Sequence, residues 1–141
     1  MDSRRCFALA LAAGAVLCSP AFAATLTGGN LEIVVATDAA PSVKFAAEEA
    51  KTFLSQTLGA DVPVVASPGG GKSHLFLGVN QWSAAAGVSI ADIAFDGFVM
   101  FAKGNDVFIA GEDDPKVDTV DRIKRPSWGS HRYDHGTLNV V

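Results

Sequence analysis

The sequence predicts an α+β domain, a mixed β-sheet with one main helix packed on one face. Three observations carry that prediction. The stretch Pro41–Gly59 holds a long apolar pattern of helical period, and short β-like runs flank it on both sides. Further on, Lys103-Gly104-Asn105 separates two apolar runs, with glycine and asparagine tolerating the positive φ of a tight turn. The expected order is β-α-β-β-β-β, with short helical turns between the third and fourth strands.

Leu31–Ala36 is rich in β-branched residues and follows the turn signal Gly28-Gly29-Asn30, so it reads as a well-buried first strand. The main helix spans residues 41–58. Pro41 suits its first turn, where a missing N–H costs nothing, and Gly59 suits the left-handed position after its last. Phe45, Ala46, Ala50, Phe53, Leu54 and Leu58 share one face; Glu48, Glu49, Lys51, Ser55 and Gln56 fall on the other. Val62–Val65 is a second strand, and Pro63 places it at an edge or outside the ladder. If it runs parallel to the first, the helix is their crossover and the connection should be right-handed. Leu75–Val79 is a third strand. Ala84–Ala86 and Ala91–Ile93 suggest short helical turns. Phe95–Phe101 and Asp106–Ala110 form the hairpin.

The ends of the chain differ in character from this body. Residues 1–23 read as a secretory signal peptide: Arg4 and Arg5, an apolar run from Phe7 to Cys18, then Ala21-Phe22-Ala23 as a cleavage signal. Export to the periplasm or the exterior is expected, and Ser3-Arg4-Arg5-Cys6-Phe7 fits a twin-arginine variant. The run is too short for a spanning helix of about 20 residues, so no stable membrane anchor is expected. Both cysteines, Cys6 and Cys18, lie in this leader; the mature domain has none, so its core must suffice without disulfides. Removing the leader takes two of 11 basic and one of 15 acidic residues, leaving 9 against 14 and a net charge of −5. Such a chain lacks the basic stripe of a nucleic-acid binder. The domain proper covers residues 31–111. Residues 112–135 form a charged stretch with little periodicity, read as exposed loop. Residues 136–141 begin an apolar run within which the chain stops, which suggests a second helix truncated at the C-terminus.

Several patterns invite chemistry, and each has a plainer reading. Ala66–Ser73 fits a relaxed phosphate-loop pattern, but such a loop works between a strand and a helix, and here it leads into a strand. A flexible connection is the better reading, and no nucleotide is expected. His131, Asp134 and His135 have a spacing that could meet zinc on a helix, yet flanking glycines speak for surface loop. His74 precedes a strand and is expected at the surface. Asp113, Asp114, Asp118 and Asp121 lack the spacing and turn glycine of a calcium loop. Trp82 and Trp128 could stack on sugar rings or simply pack. No residue is assigned a catalytic, cofactor-binding or metal-binding role, and no cofactor is implied.

Three pieces together resemble a known family: Ser42–Gly59 with Ala46-Ala47-Glu48-Glu49 and Phe53-Leu54; Asp96-Gly97-Phe98 followed by Val107–Gly111; and Gly136-Thr137-Leu138. They are similar to the N-terminal domain of bacterial α-glucuronidases, and in layout to the small α+β domain before the barrel of β-hexosaminidases. The resemblance spans Leu31–Val141 and rests on short, packing-related motifs. It implies a non-catalytic accessory domain of a secreted glycoside hydrolase engaged in polysaccharide degradation. Its partner would be a following (β/α)8 barrel of the same polypeptide, which carries the acid and base; no family catalytic residue has a counterpart here. Gly136-Thr137-Leu138 would open the second helix, and the stretch Asp113–His135 is longer and more charged than the family's link. An apolar face left uncovered near Leu138–Val141, and marginal stability, are the expected signatures. The alternatives are a stand-alone exported carbohydrate-binding module using Trp82 or Trp128, and a protein-interaction module using an exposed sheet face.

Overall fold

A computed structural model describes residues 26–93 and 97–115, together with Thr137 and Val141. The expected signal-peptide segment, Trp128, His131, Asp134, His135, Asp118, Asp121, most of the charged stretch and, of the expected second helix, residues 136 and 138–140 lie outside the described residues.

The backbone elements follow the expected order. After a 3-10 turn at Gly28–Asn30 come β1 (Leu31–Val35), α1 (Pro41–Leu58), β2 (Val64–Val65), β3 (Ser73–Leu77), α2 (Gln81–Ala86), β4 (Phe98–Lys103) and β5 (Asp106–Gly111). They build one mixed five-stranded sheet in the order β2-β1-β3-β5-β4. β2, β1, β3 and β5 are parallel neighbours, and β4 runs antiparallel at the far edge. The fold is α+β, with α1 as its main helix.

β1 is buried along its whole length because neighbours pair with both its edges and side chains cover both its faces. Leu31, Ile33 and Val35 join Leu75, Leu77 and Ile109 beneath Val43, Ala47 and Ala50 of α1. Val34, Phe76 and Phe108 form a second cluster on the opposite face, against Trp82 and Ala86 of α2. Phe76 and Phe108 stack there with centroids 4.7 Å apart and rings 5° from parallel.

Local chemistry sets the element ends. Pro41 opens α1, and Gly59 closes it in the left-handed region at φ 64°. Pro63 precedes β2 and contributes its carbonyl, which accepts from Ile33 N–H at 2.9 Å. This keeps the proline out of any donor role, and β2 is an edge strand. The hairpin turn is Gly104-Asn105, with Gly104 at φ 62° and Lys103 paired to Asp106.

Four expectations need correction. The face α1 buries is Val43, Ala46, Ala47 and Ala50, continued by the partly buried Leu54 and Leu58. Phe45 is only half-buried and Phe53 is 56 % exposed. The alanines let the helix axis approach the sheet closely, and that rotates the phenylalanines onto its flank. Ser55 likewise faces inward enough to accept from Val62 N–H at 3.1 Å. β3 begins two residues earlier than expected and ends at Leu77, because Gly78 turns left-handed at φ 76° and leaves Val79 exposed. A side chain at Gly78 would meet Val43 at 3.0 Å, so close helix–strand packing also requires glycine there. His74 therefore lies inside β3 and is buried, not at the surface.

α1 covers only part of its face of the sheet. Met100 pairs with Ile109 and Phe98 with Gly111, so both stand on the α1 side over β4, where they are 58 % and 46 % exposed. Phe53 on the helix flank is likewise exposed, and among the described residues α1 is the only helix packed on this side. Thr137 is fixed at the same end: its Oγ1 accepts from Gly111 N–H at 3.1 Å, and its own N–H donates to Asp113 Oδ1 at 3.3 Å. Asp113 Oδ1 also accepts from the Ser42 hydroxyl in the first turn of α1, at 3.0 Å.

Candidate functional site

Two places concentrate polar side chains, at opposite ends of the strands. The first surrounds Glu32 at the amino end of the sheet. Strand alternation turns Glu32 and His74, register partners on β1 and β3, to the face away from α1. Glu32 breaks the apolar run of β1, and its side chain is only 7 % exposed. A buried carboxylate demands compensation. The Lys72 ammonium forms an ion pair with Glu32 Oε1, and Gly69 N–H donates to Oε2 at 2.9 Å. These two contacts, the lysine first, hold the Glu32 carboxyl below its ordinary value of 4.5.

His74 completes the network. Its Nδ1 lies 2.8 Å from Asp106 Oδ1, which also accepts from the His74 backbone N–H at 3.1 Å. Its Nε2 lies 2.9 Å from the Gly69 carbonyl oxygen. Both ring nitrogens are thus engaged with acceptors, and the ring ties the 67–72 loop to β5. The glycine-rich stretch Ser67–Lys72 leads into β3, not into a helix, and Lys72 turns inward to Glu32. This is a structural clamp in which Lys72 and the Gly69 N–H are engaged by Glu32. Among the described residues no cluster of three or more His, Cys, Asp or Glu is placed to hold a metal.

The clamp makes acid lability predictable. The Glu32 carboxyl takes up its proton less readily in the folded chain than in the unfolded one. It therefore stabilises the fold above the ordinary glutamate range, and that contribution disappears as pH falls through the lower folded value. Thermal unfolding followed from neutral pH downward should show the midpoint falling below pH 4.5. The Glu32→Gln variant should show a flatter profile over the same window. Equal slopes for the two proteins would remove Glu32 from the account.

The second place is a crevice at the carboxyl ends of the strands. After β1 the chain passes to α1 on one face, and after β3 it passes to α2 on the other. β1 and β3 are adjacent, so their outgoing loops diverge and open a gap between them, the position where open sheets accommodate ligands. One lobe, about 290 Å³, lies against the first turn of α1, with Ala39, Ala40, Val43 and Ile90 as its apolar wall and Glu112 and Asp113 on its lining. The other, about 480 Å³, lies between Thr37-Asp38, Ala66-Ser67 and Val79–Trp82. Asn80 holds that last segment in place. Its Oδ1 accepts from the N–H groups of Trp82 and Ser83, while Ser83 Oγ accepts from Asn80 N–H, a reciprocal cap on α2. Trp82 is half-buried, with its ring against Phe76 at 5.9 Å.

Of the residues singled out in the sequence, Trp82 lines this crevice and Asp113 sits at its edge as the anchor of Ser42 and Thr137. Glu32, Thr37 and Asp38 carried no signal as site residues, and Ser67 drew notice only within the phosphate-loop pattern. The spacing Asn80-x-x-Ser83 is a capping signature that locates α2 from sequence. No helix among the described residues is long and apolar enough to cross a membrane. Comparison of the chain with protein-family models, with curated protein sequences and with solved structures gives no match.

Proposed function

We propose that this chain is a non-catalytic α+β accessory domain of an exported carbohydrate-active enzyme of the α-glucuronidase-like type, serving polysaccharide breakdown by supporting a catalytic barrel in the same polypeptide. The observation that carries the proposal is the half-covered face: Phe98 and Met100 stand exposed over β4, beside Phe53 on the flank of α1. A solvated cluster of large apolar side chains marks a surface meant to be covered. Thr137, held at the carboxyl end of β5 next to the first turn of α1, brings the chain to the start of that face. A helix leaving from there would lie beside α1 over β5 and β4. The carbohydrate context and the export route come from the family resemblance and the leader sequence.

A second reading, a stand-alone exported carbohydrate-binding module, is favoured by the crevice that Trp82 lines. The experiment that separates the two is to read the codons downstream of Val141 in the same frame and express the longer chain. The proposal expects an open frame encoding a helix and then a barrel, with binding of an apolar fluorescent dye lost on extension. A stop codon directly after Val141 contradicts it, and so does dye binding that persists unchanged in the longer protein.

A further inference from the structure

We infer that the larger lobe of the crevice is a binding site for a neutral saccharide. The saccharide class rests on the carbohydrate reading of the chain, whereas the cleft itself rests on geometry alone. Its position follows from topology. Adjacent parallel strands β1 and β3 send their connections to opposite faces, and the space between those connections is left open. Three loops distant in sequence converge on it, at Thr37-Asp38, Ala66-Ser67 and Val79–Trp82.

The lining chemistry selects the ligand. The hydroxyls of Thr37 and Ser67, the Asp38 carboxylate and the Gln81 amide offer the mixed donors and acceptors that vicinal sugar hydroxyls require. Trp82 adds an aromatic wall that is already ordered, because its ring is braced on Phe76 and its backbone N–H on Asn80. The lining is more polar than that of most small-molecule sites, which suits a polyhydroxylated ligand, and about 480 Å³ lies within the usual size. Among the described residues the lining includes one carboxylate and no cation, so a uronate or phosphate would meet like charge from Asp38. Neutral sugars escape that penalty, and the carboxylate can accept from their hydroxyls in a charge-assisted bond.

The test is a titration of the isotopically labelled chain with cellotriose and with maltotriose, followed by amide and indole NMR shifts, with glucuronic acid as the charged control. The expected result is saturable movement of Trp82 and of residues 37–38, 66–67 and 79–81 with a neutral trisaccharide, in the millimolar range. Glucuronic acid should bind at least tenfold more weakly. Ser67→Trp, at an exposed loop position, should weaken trisaccharide binding at least tenfold by filling the cleft. Asp38→Asn keeps the shape and should weaken it severalfold, which covers the case in which the bulkier variant fails to fold. No saturable shift with either trisaccharide, or unchanged binding in a folded Ser67→Trp chain, overturns the site. Preferential binding of glucuronic acid overturns the choice of a neutral ligand. None of these outcomes bears on whether the apolar face is covered in a longer protein, which the extension experiment addresses separately.

Discussion

Replacing Ile33 with alanine should lower the unfolding free energy by about 4 kcal/mol and the thermal midpoint by about 20 °C. Ile33 is fully buried at the centre of β1, between register partners Val64 and Leu75 and under α1. Its neighbours belong to three separate elements, so none can move inward to fill the space without breaking its own ladder. A domain of this size has a net stability of roughly 5–15 kcal/mol, and one with an uncovered sheet face should sit near the lower end. Phe53→Ala provides the contrast. Phenylalanine is the larger side chain, but Phe53 is mostly exposed, so its loss should change stability by less than about 0.5 kcal/mol. Denaturant titration of both variants checks the pair. Equal costs would mean that α1 is rotated from the orientation described.

Lys72→Ala should cost about 2 kcal/mol, a large effect for a half-exposed lysine. It leaves the Glu32 carboxylate buried, with Gly69 N–H as its remaining close donor and His74 Nε2 4.0 Å away. Removing one partner of a buried pair generally costs roughly 3–5 kcal/mol. Lys72 is 40 % exposed, so water can reach the vacated side and reduce the loss. The informative comparison is the double variant Lys72→Ala with Glu32→Gln. A neutral amide still accepts from Gly69 and needs no countercharge, so most of the lost stability should return. If the double variant is less stable than Lys72→Ala alone, the cost lies in the lysine stem's packing and not in the stranded charge.

The elements were legible in the sequence wherever local signals and tertiary packing agree. Pro41 and Gly59 bracket α1, Pro63 marks the edge strand, and Gly104-Asn105 makes the hairpin turn. Errors arose where packing overrides periodicity. Phe45 and Phe53 outrank alanine on any hydrophobicity scale, yet close approach to the sheet favours Ala46, Ala47 and Ala50 at the contact. His74 looked like a residue outside a strand because its burial depends on Asp106, on another strand, and on Gly69 in the preceding loop. The crevice was the least legible feature. Thr37, Ser67 and Gln81 are ordinary loop or cap residues singly, and only the divergence of the β1 and β3 connections brings them together.

The central claim, that the open half of the sheet receives a further helix of the same polypeptide, is tested most directly at Met100. It is the only methionine besides Met1, so its oxidation by dilute peroxide can be followed cleanly by mass spectrometry. In the chain ending at Val141, Met100 should oxidise at nearly the rate of a free methionine, because its side chain stands in solvent. In a protein extended past Val141, the rate should fall at least tenfold as the helix covers β4. Equal rates in the two proteins would contradict the claim and leave the exposed face for a separate partner.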